Sequence, residues 1–157
     1  MRAIPRAFWA AGLGGFAASQ VAGWAITRAV PVGGERVLVP GILSLTVLHN
    51  RGIAFGVLGR LSPAVAVALA LTVLLALFYN RGVWPGGLAD QWGFGLIVGG
   101  ALGNVADRLR FGYVVDYLDV HVWPVFNLAD VAIVVGAGVL AAASVMRRHR
   151  GDSGVRQ

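Results

Sequence analysis

The chain has 157 residues, 57% hydrophobic and only 13% charged, with a mean hydropathy of +0.74 and a formal net charge of +6. Soluble domains run at about 45–50% apolar and about 25% charged, so a soluble fold of this length could not hide so much apolar surface, and lipid is the solvent expected for much of it. There is no Cys, which excludes disulfides, thiol catalysis and Cys-ligated metals, and no Lys, so all 13 basic residues are Arg, scattered at the ends of apolar runs rather than in the stripe a nucleic-acid interface needs.

A helix that spans a bilayer takes about 20 mostly apolar residues, and four segments qualify. The first runs from about residue 8 to 30, "FWAAGLGGFAASQVAGWAITRAV". Arg2 and Arg6 ahead of an apolar run could also mark a cleavable signal peptide, but three further spans favour a retained helix. Ala11, Gly15, Ser19 and Gly23 recur at every fourth position in it. Such small residues let helix backbones approach closely where lipid gives little hydrophobic reason to associate.

Residues 31–61 follow. "ERVLVPGILSLTVLHN" is rich in β-branched residues, alternates in part, and breaks at Pro40-Gly41, which predicts a short hairpin at the membrane surface. The second span covers 62–79, "SPAVAVALALTVLLALFY". The third, 91–108, carries Gly95, Gly99 and Gly103 at fourfold spacing and turns polar at its far end. A phosphate loop in "GGALGN" would need the P-loop Lys and a preceding strand, and lacks both. The fourth span covers 127–146, and a disordered tail is expected over about 148–157.

The fold class expected is therefore an all-α integral membrane protein. It has four transmembrane helices and a small β-rich extracytoplasmic segment between helices 1 and 2, all in one membrane-embedded domain over 1–157. An even number of spans puts both termini on one side, and Arg2, Arg6, Arg147, Arg148 and Arg150 favour the cytoplasm. Residues 31–61 and 107–129 then lie on the outer face. Trp9, Trp24, Trp84, Trp92 and Trp123 fall near span ends, as in an aromatic belt.

Elimination narrows the chemistry. Without Lys there is no Ser–Lys dyad, and none of the five serines sits in a Gly-x-Ser-x-Gly turn. Asp119 and His121 in "DVH" could offer two metal ligands, but a third and fourth are not evident, so no metal is expected. Carboxylates remain. Of seven acidic residues, four (Asp107, Asp116, Asp119 and Asp130) fall within residues 104–130. Two acids sharing a site do not both ionise easily, and such a pair can activate water and protonate a leaving amine.

Each acid also has a plainer reading. Asp107 shares a helix face with Asn104 and Arg108 and reads as half of an ion pair with Arg108. Asp130, three residues after Asn127, has the spacing of a helix cap. Asp116 follows an apolar run with no capping or pairing reason, and Asp119 suits a solvated rim. The pair expected from local reasoning is Asp116 or Asp119, with Asp130.

Three blocks carry a resemblance to signal peptidase II, the lipoprotein signal peptidase family of bacteria. "NRGIAFGVL" (50–58) resembles the family's Asn-x-Gly-x-Ala-Phe block. "GGALGNVADRLRFGYVVDYLDV" (99–120) resembles its Gly-Asn-x-x-Asp-Arg…Gly-x-Val-x-Asp-Phe block, and "FNLAD" (126–130) its Phe-Asn-x-Ala-Asp block.

The resemblance implies an intramembrane aspartic endopeptidase that needs no cofactor. Its catalytic aspartates would be Asp116 and Asp130. Asn50, Gly52, Asn104, Asp107, Arg108 and Asn127 would be supporting or substrate-binding residues, with Phe55 covering the cleft. The implied substrates are prolipoproteins whose lipobox Cys bears diacylglycerol, cut just before that Cys. A bacterial cytoplasmic-membrane location, contact with membrane lipid, an outward-facing site and a monomer go with it.

The departures are Ser19 and Gly23, where the family shows Asp and Lys around Gln20, together with Arg51, Ile53, Tyr117 and a short connection from Asp116 to Asn127. The rivals are a proton-coupled transporter, which would want acids at midplane rather than at one rim, and an inactive lipoprotein-binding scaffold.

Overall fold

The computed structural model describes residues 5–51, 64, 65, 67, 68, 70–72, 75 and 87–154, with side chains described as far as Arg147. Helix α1 is Arg6–Ala29. Strands β1 (Glu35–Val39) and β2 (Leu43–Asn50) follow, then helix α2 (Leu88–Phe111), strand β3 (Val114–Asp119) and helix α3 (Leu128–Gly154). The described residues between 64 and 75 are helical; the rest of the expected second span lies outside the described residues, as do Gly52 and Phe55.

Among the described residues one helix, over Leu128–Arg147, is long and apolar enough to cross a membrane, at a mean hydropathy of 2.2. Helices α1 and α2 each have 24 residues, roughly 36 Å at 1.5 Å per residue. The last helix corrects the expected tail. It continues past Met146 to Gly154, and "RRHR", the stretch before Gly151, contains neither Pro nor Gly to stop the backbone ladder.

Helices α1 and α2 run parallel, and small residues set their separation. A Cβ on Gly95 would stand 2.5 Å from the Phe8 carbonyl oxygen, and one on Gly99 would overlap the carbonyl oxygen of Gly12. Further along, one on Gly103 would stand 2.6 Å from Ser19 Oγ. The fourfold spacing read from the sequence thus faces the partner helix at Ala11, Ser19, Gly95, Gly99 and Gly103. Gly12, outside that register, is the closest point.

Helix α3 packs antiparallel on α2 by the same means. Gly93 lies under Leu140 and the Gly136 carbonyl, and Gly100 under the Ala129 carbonyl. At one end of this pair Asp90, 1% exposed, accepts from the Gly87 amide and takes both oxygens to Arg147 Nη1, at 2.7 and 2.8 Å.

The other end carries a three-stranded antiparallel sheet in the order β1-β2-β3. The β1–β2 turn falls at Pro40-Gly41, where Gly41 has φ 70° and Ile42 N–H donates to the Val39 carbonyl at 3.0 Å. β1 is exposed along its whole length. β3 is its opposite, buried at Val114, Val115, Asp116 and Tyr117. Val30, Val47, Val115 and Tyr117 form the core beneath the sheet.

Gly99→Ala is expected to lower stability by about 1–3 kcal/mol through overpacking. Gly138→Ala, with nothing within 4 Å of the added carbon, is expected to be neutral or mildly stabilising. Thermal unfolding of the two variants in detergent compares them directly.

Candidate active site

The site forms where α2 ends and α3 begins. Helix α2 stops because Gly112 adopts φ 77° and its amide caps the Arg108 carbonyl at 2.9 Å. This left-handed cap is a conformation glycine takes without steric cost. It turns the chain straight into β3, bringing Asp116 onto the sheet beside β2. In the β2–β3 register Leu48 faces Asp116 and Asn50 faces Val114. Asn50 is therefore diagonal to Asp116 on one face of the sheet, within side-chain reach.

Asp116 is 4% exposed and held by two side-chain amides. Asn50 Nδ2 donates to its Oδ2 at 2.7 Å, and Asn127 Nδ2 to its Oδ1 at 2.9 Å. Asn127 is itself 4% exposed and immediately precedes α3. Its Oδ1 accepts the Asp130 amide at 3.0 Å, while Asp130 Oδ2 accepts the Asn127 amide at 3.2 Å. This reciprocal pair is a capping box, and it satisfies backbone donors that a helix start otherwise leaves orphaned.

The capping reading of Asp130 is thus correct, and it does not exhaust the residue. Asp130 Oδ1 accepts from Asn104 Nδ2 at 2.8 Å, and Asn104 Oδ1 accepts from Asn127 Nδ2 at 3.1 Å. Two asparagines therefore form a continuous amide relay between the carboxyl groups of Asp116 and Asp130. Both asparagines are used on both ends of the amide, which fixes their orientation.

Burial is the largest influence on Asp116 and pushes its carboxyl up to about 6 from an ordinary 3.8. The Asn50 hydrogen bond opposes this, the Asp130 charge adds to it, and Asn127 and Arg108 pull the other way. A carboxyl raised well above its ordinary range, coupled to a second carboxyl nearby, can act as an acid while its partner acts as a base.

The remaining acids are not in this relay. Asp107, read from sequence as an ion-pair partner of Arg108, lies close enough for its charge to act on that guanidinium, and it accepts from Gln20 Nε2 at 3.0 Å and from the Val115 amide at 3.3 Å. Arg108 Nη1 donates to the Asn104 carbonyl at 3.3 Å. Asp119 lies at the far end of β3, where it accepts from Thr46 Oγ1 at 3.3 Å and from the His121 amide at 2.8 Å.

His121 Nδ1 is 3.5 Å from Asp119, and its Nε2 is 3.3 Å from Ser44 Oγ. The order Asp–His–Ser suggests a nucleophile, but Ser44 is 0% exposed and its hydroxyl cannot meet a substrate. No group of three His, Asp or Glu side chains that could hold a metal ion converges among the described residues.

Two polar contributors escaped the sequence reading. Gln20 bridges α1 to Asp107, and Tyr117 accepts the Leu128 amide on its hydroxyl at 3.1 Å, satisfying another donor at the start of α3. Tyr117 in place of the family's Phe was the one visible signal of the latter. Beside Asp130 opens a cavity of about 430 Å³ lined by Val120, Trp123, Phe126, Val131, Val134 and Val135. Val131, Val134 and Val135 share one face of α3, so this wall is apolar up to the carboxylate.

A buried, proton-holding carboxyl tied by amides to a second carboxyl, on a helical frame with apolar walls, has the equipment of a water-activating hydrolase. The comparisons name the kind. The family described as signal peptidase (SPase) II matches residues 13–146. The lipoprotein signal peptidase of Pelotomaculum thermopropionicum is 49% identical over 114 residues, covering 70% of this chain and 73% of that one. That of Halothermothrix orenii is 45% identical over 116 residues, covering 73% and 79%.

A solved bacterial membrane enzyme structure superposes with a TM-score of 0.77 at 26% identity, over 94% of this chain and 89% of that one. The chain belongs to the signal peptidase II family, the lipoprotein signal peptidases, and is an aspartic endopeptidase that acts on lipoprotein signal peptides.

Asn127→Ala removes the cap and the junction of the relay together. Cleavage is expected to fall on the order of 10²-fold, the scale on which one preorganised donor acts, with about 1 kcal/mol lost from stability. Kinetics and thermal unfolding of one preparation give both.

Proposed function

We propose that Asp116 and Asp130 are the catalytic dyad of this peptidase. The observation that carries the assignment is the Asn127–Asn104 relay joining a buried carboxyl to the one at the start of α3. Asp130, in the first turn of a helix, has its anion favoured by the helix N-terminus, and it takes a proton from the attacking water. Asp116 holds the other proton and delivers it to the scissile carbonyl oxygen as the tetrahedral intermediate forms. Collapse of that intermediate breaks the C–N bond, and the leaving amine takes a proton from the dyad. The two carboxyls titrate as a unit.

Asn50, Asn104 and Asn127 hold the dyad in place. Asp107 acts through the Val115 amide, and Arg108 braces the Asn104 carbonyl. Gly52 and Phe55 belong to the same proposal by resemblance alone.

The substrate is a prolipoprotein whose lipobox Cys carries diacylglycerol, cut immediately before that Cys. Its apolar portion is supported by the valine-lined cavity that ends at Asp130. The chain is a monomeric single domain of four spans in the bacterial cytoplasmic membrane. Its termini are cytoplasmic, and β1, β2 and the dyad lie at the outer face against lipid headgroups. Arg147 at the end opposite the dyad supports that orientation, and Arg28 stacked 4.1 Å over Trp24 near the end of α1 supports an interfacial belt there.

Cleavage of a diacylglyceryl-modified prolipoprotein by the purified protein tests the assignment. Asp116→Asn and Asp130→Asn are each expected to lose about 10²–10⁴-fold in kcat. Retained activity in either variant would transfer its role to another acid.

The pH profile carries a second expectation. Asp116 must keep its proton, so kcat/KM is expected to fall as pH rises through about 6. Asn50→Ala removes a hydrogen bond that holds the Asp116 carboxyl down, so its falling limb is expected at higher pH than in the wild type. A limb that stays put or moves to lower pH would place that titration elsewhere.

A further inference from the structure

Helix α1 contributes no carboxylate and no cation to the site. Ser19 and Gly23 stand where the resemblance would have Asp and Lys. Ser19 turns its hydroxyl back to the Phe16 carbonyl of its own helix at 2.8 Å, and Thr27 does the same to Gly23 at 2.8 Å. Gln20 is different. Its Nε2 donates across to Asp107 Oδ1 at 3.0 Å and to the Gly103 carbonyl at 3.3 Å, and its Oε1 accepts from Arg110 Nη1 at 2.8 Å.

All three partners lie on the last turns of α2. Asp107 in turn uses its second oxygen, Oδ2, to accept the amide of Val115, the residue directly before Asp116. The chain of contacts therefore runs from α1 through one carboxylate to the backbone that carries the dyad.

We infer that Gln20 is a positioning residue: through Asp107 and the Val115 amide it sets where β3 holds Asp116 against Asn50 and Asn127. This rests on Asp116 being a member of the dyad. The geometry suits the role because a carboxylate with one oxygen on each neighbour acts as a rigid strut. An amide side chain can also donate to that strut while accepting from Arg110, which neither a carboxylate nor an aliphatic side chain could do. Helix α1 is otherwise joined to α2 at this level by close glycine packing, which fixes the distance between the helices but leaves the strut's rotation free.

The polarity of the Gln20–Asp107 bond can be reversed. Gln20→Glu replaces the donor by a carboxylate facing Asp107 and breaks the strut. Asp107→Asn in the same chain restores it: the new amide nitrogen donates to the carboxylate introduced on α1, while its oxygen still accepts from Val115.

Full-length protein in detergent is assayed on a diacylglyceryl-modified prolipoprotein, as wild type, Q20E, D107N, Q20E/D107N and Q20M, with D116N alongside. The expected result is a kcat about 10- to 100-fold lower in Q20E, the scale of a misplaced reacting group, with KM within about twofold of wild type. The double variant is expected to recover to within about threefold of wild-type kcat.

A purely structural role would lower the amount of folded enzyme without splitting kcat from KM, and reversal of polarity would not rescue it. Q20M keeps the side chain's length without its hydrogen bonds, so its kcat decides the matter if Q20E does not fold. A kcat in the folded Gln20 variants within about twofold of wild type, or a double variant no better than its worse parent, overturns the inference. D116N separates the two levels: if it cuts as well as wild type, the dyad assignment has failed, whatever the Gln20 variants do.

Discussion

The constraint on which the rest of this structure depends is the burial of Asp116. A carboxyl 4% exposed cannot be left to itself in a low-dielectric surround, where an unpaired charge costs several kcal/mol or is neutralised instead. The chain answers with neutral amides. Asn50 and Asn127 satisfy the two oxygens without supplying the full positive charge that would pull the proton off. Both amides donate and so favour the anion, offsetting part of the burial that raises the carboxyl to about 6.

The relay exists only because the helices come close enough to build it. Asn104 is one turn beyond Gly100, and Asp130 is next to Ala129, whose carbonyl a Cβ on Gly100 would overlap. The glycine thus sets the distance at which Asn104 can donate to Asp130 at 2.8 Å. On the other face of α2 the contacts of Gly95, Gly99 and Gly103 with α1 bring Gln20 up to Asp107. In lipid, where apolar faces gain little by meeting each other, this backbone proximity is what packing can offer. Packing and chemistry share the same glycines.

Much of this was legible beforehand, and the limits have physical causes. Small residues at every fourth position announced the packing faces, since close approach leaves a compositional trace. Asp116 stood out because nothing local excused an acid there, and Asp130 because of its spacing from Asn127. Local sequence does not separate Asp116 from Asp119, because their partners come from β2: Asn50, 66 residues away, meets Asp116, and Thr46 meets Asp119. The full set of partners of Asp107 was out of reach for a related reason. Neighbours in sequence on a helix compete with partners from another helix, and here Gln20, 87 residues away, meets the carboxylate.

Two buried acids in this chain show how the partner decides the use. Asp90, 1% exposed, faces a guanidinium: Arg147 Nη1 sits 2.7 and 2.8 Å from its two oxygens. Charge meets charge, the pair ties the start of α2 to α3, and removing Arg147 would leave a buried carboxylate without its charge partner. Asp116, almost as deeply buried, is raised to about 6 chiefly by that burial, with the Asp130 charge adding to it and its two amides and Arg108 opposing it. A guanidinium paired to Asp116 as Arg147 is to Asp90 would favour its anion far more than the two amides do. In a chain this poor in charge, two acids of similar burial differ in their neighbours, and those neighbours are supplied by segments distant in sequence.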